Sequence, residues 1–215
     1  MTIEAVVFDW GGVLAGSVAG RVGEVEQRLG LPAGSLPGLL GLDPYDTDLA
    51  NMWHRRELGQ ASALEWAQWY SDRLAAAGGP TVPPETLVAG ERDRFTVTPN
   101  QPILDALPRL KEAGYRLAIC TNNFFETRDI WQAGLPLDLF DAVVVSCDLG
   151  VRKPDPAMFE HVTAKLGVEP AATVLLDDLA ANVVGAQRVG WQAILVGADP
   201  QQAVDDLESL LAEAR

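Results

Sequence analysis

Cysteine is almost missing from this chain: only Cys120 and Cys147 occur among 215 residues. Both lie in or beside apolar, strand-like runs. They read as buried free thiols in a reducing compartment, which excludes a disulfide framework or a cysteine-rich zinc site. Positive charge is scarce as well. Sixteen Lys and Arg stand against thirty Asp and Glu, a formal net charge of −14. That excludes the basic footprint that nucleic acid or an anionic membrane surface requires. No apolar run is long enough to span a bilayer, and Glu4 stands where a secreted protein carries a basic leader, so a cytoplasmic protein is expected. Internal repeats and low-complexity tracts are lacking too. What is there is 48% hydrophobic and 21% charged. This is a globular composition, long enough for one sizeable core or a core with a small appended domain.

The chain is organised around residues 3–14, IEAVVFDWGGVL. Ala5, Val6, Val7 and Phe8 form the kind of apolar run carried by a strand buried on both faces of a parallel sheet. The run ends on Asp9. Ligands of open α/β sheets sit beyond the carboxyl ends of strands, so this carboxylate is placed in the crevice. Gly11 and Gly12 let the backbone turn sharply and bring carbonyls close to a ligand. A carboxylate so placed can act as a nucleophile or hold a hard cation. A plain strand-ending turn is the alternative, and this stretch alone leaves both open.

From Ala15 to about Val97 strand-like runs disappear, and helical patterns alternate with Gly/Pro breaks at 30–32 and 78–80. This marks a helical insertion. Ser62 and Glu65 form a capping box, the helix closes at Ala77-Gly78, and Trp66, Trp69, Tyr70 and Leu74 fall on it at the spacing of a core stripe. The run Met52-Trp53-His54-Arg55-Arg56-Glu57 predicts another helix, on which His54 and Arg55 either face a substrate or lie on a solvated face.

After Asn100 the α/β rhythm returns. A helix through Ile103, Leu104, Leu107 and Leu110 stops at Gly114. A strand over 115–120 then ends in Thr121-Asn122-Asn123, whose hydroxyl and backbone N–H groups suit an anion but serve equally as a helix cap. A buried strand over 140–146 leads into CDLGVRKPDPAMF, where Pro154 holds Lys153 in extended backbone. Such a lysine is a surface charge or, beside a phosphate, a point-charge clamp. Val174, Leu175 and Leu176 make a short strand tipped by Asp177-Asp178. Adjacent carboxylates at a buried strand end repel unless a cation intervenes, which points to a metal. A helix from about Leu179 carries Asn182 and ends at Gly190. A strand over 193–196 and an amphipathic helix over 200–213 follow.

Asp9, Thr121, Lys153 and Asp177-Asp178 thus stand in order as four strand-terminal motifs. With Asp9-Trp10-Gly11-Gly12-Val13-Leu14, Gly150-Val151-Arg152-Lys153-Pro154-Asp155-Pro156 and Leu176-Asp177-Asp178, the chain resembles the haloacid dehalogenase-like (HAD) hydrolase superfamily over nearly its whole length. Asp177-Asp178-Leu179-Ala180-Ala181-Asn182 is similar to the sugar-phosphate phosphatase branch, which includes glucose-1-phosphate phosphatases and the N-terminal phosphatase domain of epoxide hydrolases. The resemblance implies an α/β fold: a Rossmann-like parallel sheet with helices on both faces and an inserted helical cap. The core would comprise 1–14 and 98–215, and the cap 15–97. It also implies a Mg²⁺-dependent phosphohydrolase, monomeric or homodimeric, acting on a small phosphorylated metabolite such as a sugar phosphate.

In that scheme Asp9 attacks phosphorus and forms an aspartyl-phosphate. Asp9, the carbonyl of Gly11 and Asp178 hold Mg²⁺, with Asp177 and Asn182 behind them. Thr121 and the N–H of Asn122 bind phosphoryl oxygens, while Lys153 pairs with Asp9 and the phosphate. Trp10 and His54 are candidates for substrate contact. One departure matters. Many phosphatases of the family carry a second Asp two residues after the nucleophile as general acid and base, and here that position is Gly11. The change favours leaving groups that need little protonation, unless Asp177 or His54 supplies the acid. Two alternatives therefore stand beside the phosphatase. A 2-haloacid dehalogenase also lacks this Asp, because halide leaves unprotonated, but it needs no metal and leaves Asp177-Asp178 unexplained. A catalytically weak, ligand-binding homologue is the other.

Overall fold

The computed structural model describes residues 2–16, 22–29, 51–90 and 98–214. The apolar run Ala5–Phe8 forms β1, buried throughout and central in a five-stranded sheet. Its companions are β2 (Arg116–Thr121), β3 (Ala142–Val145), β4 (Thr173–Asp177) and β5 (Gln192–Leu195). The order is β3-β2-β1-β4-β5, and all four pairings are parallel. A parallel pair needs a crossover, and crossovers put helices on both faces. The described helices are α1 (Val22–Leu29), α2 (Met52–Glu57), α3 (Ala63–Ala76), α4 (Pro84–Ala89) and α5 (Gln101–Glu112), followed by α6 (Arg128–Gln132), α7 (Ser146–Leu149), α8 (Pro156–Leu166), α9 (Ala180–Arg188) and α10 (Pro200–Glu213).

Successive strand side chains point to opposite faces, and the core divides accordingly. Val6, Phe8, Leu117, Ile119, Val174 and Leu176 pack with Ile103 and Leu107 of α5 and Val204 and Leu207 of α10. Ala5, Val7, Ala118, Cys120 and Leu175 pack on the other face with Met158, Phe159 and Val162 of α8 and Ala186 of α9. Full burial of such a Val, Leu, Ile or Phe contributes about 1.5–3 kcal/mol, so two layers of this kind fix the strand ends firmly. Both cysteines are free and buried. The strand expected over 140–146 is shorter. At its end Ser146 leaves the ladder to start α7, and its hydroxyl accepts the N–H of Asn123 at 3.0 Å.

Residues 51–90 carry a small core of their own. Trp66, Tyr70 and Leu74 lie buried with Val82 and Leu87, and the rings of Trp66 and Tyr70 stack at 5.6 Å. The capping box of α3 is complete, with Ser62 and Glu65 each bonded to the other's backbone N–H. The solvated face considered for His54 and Arg55 is corrected for His54, which is buried with Arg56 and Glu57, while Arg55 is half-buried. Arg56 lies over the rings of Phe124 (4.1 Å) and Trp66 (5.3 Å), and Trp53 packs edge-on against Phe124 at 4.9 Å. The helix is thus seated on the loop that follows β2. The Gly/Pro break expected at 30–32 lies outside the described residues.

Where the chain leaves the sheet for this segment and where it returns, the two passages are joined. Gly16 N–H donates to the carbonyl of Thr98 at 2.8 Å, Asn100 N–H to that of Leu14 at 3.0 Å, and Asn100 Nδ2 to that of Val13 at 2.7 Å. Among the described residues no helix is long and apolar enough to cross a membrane.

Candidate active site

Strand register assembles the site. Phe8 stands opposite both Ile119 of β2 and Leu176 of β4, so Asp9, one residue on, emerges between the ends of these strands. Its N–H continues the ladder to the carbonyl of Leu176 at 2.9 Å. The chain then turns over residues 10–14, and Trp10 N–H donates to Asp9 Oδ1 at 2.6 Å. The other carboxylate oxygen, Oδ2, lies 3.0 Å from Lys153 Nζ. Both oxygens of Asp9 are therefore oriented before any ligand arrives.

Lys153 is fully buried, so the surface-charge reading fails. Its ammonium lies 2.6 Å from Asp177 Oδ2 as well as beside Asp9. Asp177 is the last residue of β4, and its remaining oxygen accepts Leu179 N–H and Asn182 Nδ2, each at 2.9 Å. Every oxygen of Asp177 is thus engaged within the protein. The cation inferred from the Asp177-Asp178 pair is in part a lysine. Asp178 lies against Gly12. That glycine has φ of +78°, and a Cβ built on it would overlap the Asp178 carboxylate.

Carboxylate oxygens of Asp9, Asp177 and Asp178 lie within 4.8 Å of one another. Burial pushes the Asp9 carboxyl up to about 6, Lys153 opposes this, and the Asp177 charge adds to it. Burial likewise raises Asp178 to about 7, with the charges of Asp9 and Asp177 behind it. For Lys153 burial acts downward, but the Asp177 and Asp9 carboxylates outweigh it and leave the ammonium above its usual value. Three carboxylates share one ammonium. The donor set is all hard oxygen and carries excess negative charge, which fits a small divalent cation such as Mg²⁺.

Thr121 closes β2 and is buried. Asn122 does something the sequence did not announce. Its side chain grips the main chain of Lys153, accepting the N–H at Oδ1 (2.8 Å) and donating from Nδ2 to the carbonyl (3.0 Å). Trp10 contributes its backbone, while its ring is 3% exposed and packs in the core 6.1 Å from Trp131. A core anchor, rather than an open substrate contact, is what this placement gives. His54 is buried on α2, in the segment seated on the loop after β2. Sequence reasoning missed Glu57 and Arg152, whose side chains meet at 2.6 Å. Only the adjacency of Arg152 to Lys153 could have drawn attention to it.

A central strand ending in a buried carboxylate, a lysine beside it and an acidic pair at the end of the neighbouring strand define a carboxylate-centred site at the strand ends of a Rossmann-like sheet. The chain belongs to the haloacid dehalogenase-like hydrolases, whose family model matches residues 3–190. Phosphatase MT3486 of Mycobacterium tuberculosis (strain CDC 1551 / Oshkosh) is 30% identical over 233 residues, spanning 98% of this chain and 96% of its own. Other curated relatives are far longer: the chain spans 19% of one and 39% of another. Among solved structures, L-2-haloacid dehalogenase from Xanthobacter autotrophicus superposes with a TM-score of 0.67 at 24% identity, over 97% of this chain and 83% of that one. A HAD family enzyme from Bacteroides thetaiotaomicron, solved with magnesium and inorganic phosphate, gives 0.67 at 20% identity over 92% and 96%. At these identities the two structures share the fold.

Proposed function

We propose that this chain is a Mg²⁺-dependent phosphohydrolase that acts on a small phosphorylated metabolite through an aspartyl-phosphate on Asp9. The observation that carries the reading is the charge imbalance at the strand ends, three carboxylates against the single ammonium of Lys153. Asp9, the carbonyl of Gly11 and Asp178 would hold the cation. When bound, it would neutralise the oxygens of the transferring phosphoryl group. Asp177 is fully occupied by Lys153, Leu179 and Asn182, so it acts on the site by holding the lysine, and it offers no spare oxygen for acid catalysis.

The protein's own steps follow. Asp9 attacks phosphorus, the bond to the leaving oxygen breaks, and water then cleaves the acyl phosphate and restores the carboxylate. Lys153 faces the developing negative charge, and Thr121 with the N–H of Asn122 binds phosphoryl oxygens. With glycine at position 11 the leaving oxygen draws its proton from water. General acid–base catalysis is typically worth about 10²–10⁴-fold, so good leaving groups such as aryl phosphates or a sugar anomeric phosphate are favoured. The helical segment forms the cap over the strand ends, in the manner of lids that exclude water.

Kinship with Phosphatase MT3486 over nearly both chains supports this reading. Gly11 favours the dehalogenase instead, since a halide needs no proton. One experiment separates them. Purified protein should hydrolyse p-nitrophenyl phosphate with Mg²⁺, lose the activity in chelator, and lose it again in Asp9→Asn with its melting temperature preserved. Chelator-insensitive turnover of 2-haloacids would establish the dehalogenase and end the phosphohydrolase reading.

A further inference from the structure

Glu57 is the last residue of α2 and is buried. Its Oε1 accepts the indole N–H of Trp53, one helical turn earlier, at 2.9 Å. Its Oε2 accepts Nε–H of Arg152 at 2.6 Å, across 95 positions of sequence. Both side chains of this ion pair are largely shielded from water, 14% exposed for Arg152 and 9% for Glu57. A shielded, charge-assisted bond of this length is directional and is screened little by salt.

Arg152 directly precedes Lys153. The main chain of Lys153 is held on both its N–H and its carbonyl by Asn122, and the carbonyl of Arg152 accepts Asp155 N–H at 2.9 Å. The dipeptide is therefore gripped from two sides: by the loop after β2, and by a helix from the inserted segment. Trp53, which shares the Glu57 carboxylate, packs edge-on against Phe124, two residues beyond Asn122. The two grips meet in one aromatic contact.

We infer that Glu57 is a positioning residue for Lys153: through Arg152 it fixes the backbone that delivers the ammonium to Asp9, so the charge balance of the site depends on the Glu57–Arg152 pair. The inference rests on the reading of Lys153 as the ammonium that faces the reacting group. A second link between the same parts supplies the control. Glu126 accepts Arg56 Nη2 at 3.4 Å and Ala63 N–H at 2.8 Å. It too joins the helical segment to the loop after β2, but it contacts neither Arg152 nor Lys153.

Glu57→Gln keeps an acceptor for Trp53 and removes the charge opposite Arg152; Glu126→Gln makes the same change at the control. Two readouts apply: kcat and KM on p-nitrophenyl phosphate with Mg²⁺, and acetic anhydride labelling of the metal-free protein read by mass spectrometry. The exposed Lys165 serves as internal reference for the labelling. Glu57→Gln should lower kcat by about tenfold or more, as small displacements of catalytic groups do, with KM little changed. It should also raise labelling of Lys153 relative to Lys165. Glu126→Gln should leave both readouts at wild-type level. Arg152→Gln breaks the same pair from the other side, should reproduce both effects, and takes over if Glu57→Gln does not fold. Equal behaviour of the Glu57 and Glu126 variants overturns the inference, as does an unchanged kcat and labelling pattern in Glu57→Gln. If wild type is inactive on the phosphate while Lys153 labelling still responds to Glu57→Gln, the phosphohydrolase reading fails and the positioning role stands.

Discussion

At the scale of single residues, the two neighbouring aspartates at the end of β4 have opposite employments. Asp177 turns inward and is saturated by Lys153, Leu179 and Asn182. Asp178 turns toward Gly12, where the absent side chain leaves it room. The glycine is needed twice over, for its positive φ and for the space. Gly12→Ala should therefore push the Asp178 carboxylate aside. Displacing a group that orients a metal typically costs about 10–100-fold in affinity. A magnesium titration of aryl-phosphate hydrolysis should show the half-saturating concentration rising by about that factor. Alanine at such a φ should also destabilise the fold by more than about 1 kcal/mol, visible as a lower melting temperature. An unchanged magnesium requirement would remove Asp178 from the set of ligands.

At the scale of elements, the strand tips were legible in the sequence and the seating of α2 was not. A short apolar run that stops on a polar residue marks both a buried strand and the place where its chemistry emerges, as with Asp9, Thr121 and Asp177. The local code of α3 was readable for the same reason: Ser62 and Glu65 need only each other. By contrast, the polar face of α2 is buried because its partners, Glu126 and Arg152, come from 70 and 95 positions away. No local pattern carries that information. The burial of Trp10 was hidden in the same way, since its partner Trp131 belongs to a different element. Local and tertiary support can be separated by Ser62→Ala. Losing an N-cap generally costs about 0.5–2 kcal/mol. Here Ala63 N–H is still held by Glu126 from outside the helix, so a urea titration should place the loss near the lower figure. A loss above the upper figure would mean that the capping box fixes the docking of α3 as well as its first turn.

For the whole molecule, the burial of the site carboxylates, with their mutual repulsion behind it, sets how stability depends on pH. In the folded protein Asp9 and Asp178 hold their protons up to about 6 and about 7, against 3.8 for an ordinary aspartate. The folded state thus binds more protons than the unfolded one in this window. The stability these groups contribute is complete below the ordinary value and is lost as pH rises through 6 and 7. Metal-free protein should melt at a lower temperature at pH 8 than at pH 5, and millimolar Mg²⁺ should recover most of the difference at pH 8. Equal melting at both pH values without metal would refute the charge balance drawn here. The hydrogen-bonded passage between residues 13–16 and 98–100 has a consequence of another kind. It works as a drawstring: whatever length of chain hangs beyond it, the bag is already closed at its mouth. The entropy of closing a loop grows only with the logarithm of its length, about 0.6 kcal/mol per doubling. Insertions and deletions beyond the mouth are therefore cheap for the sheet to tolerate, so long as they leave α2 and its Glu57–Arg152 pair in place.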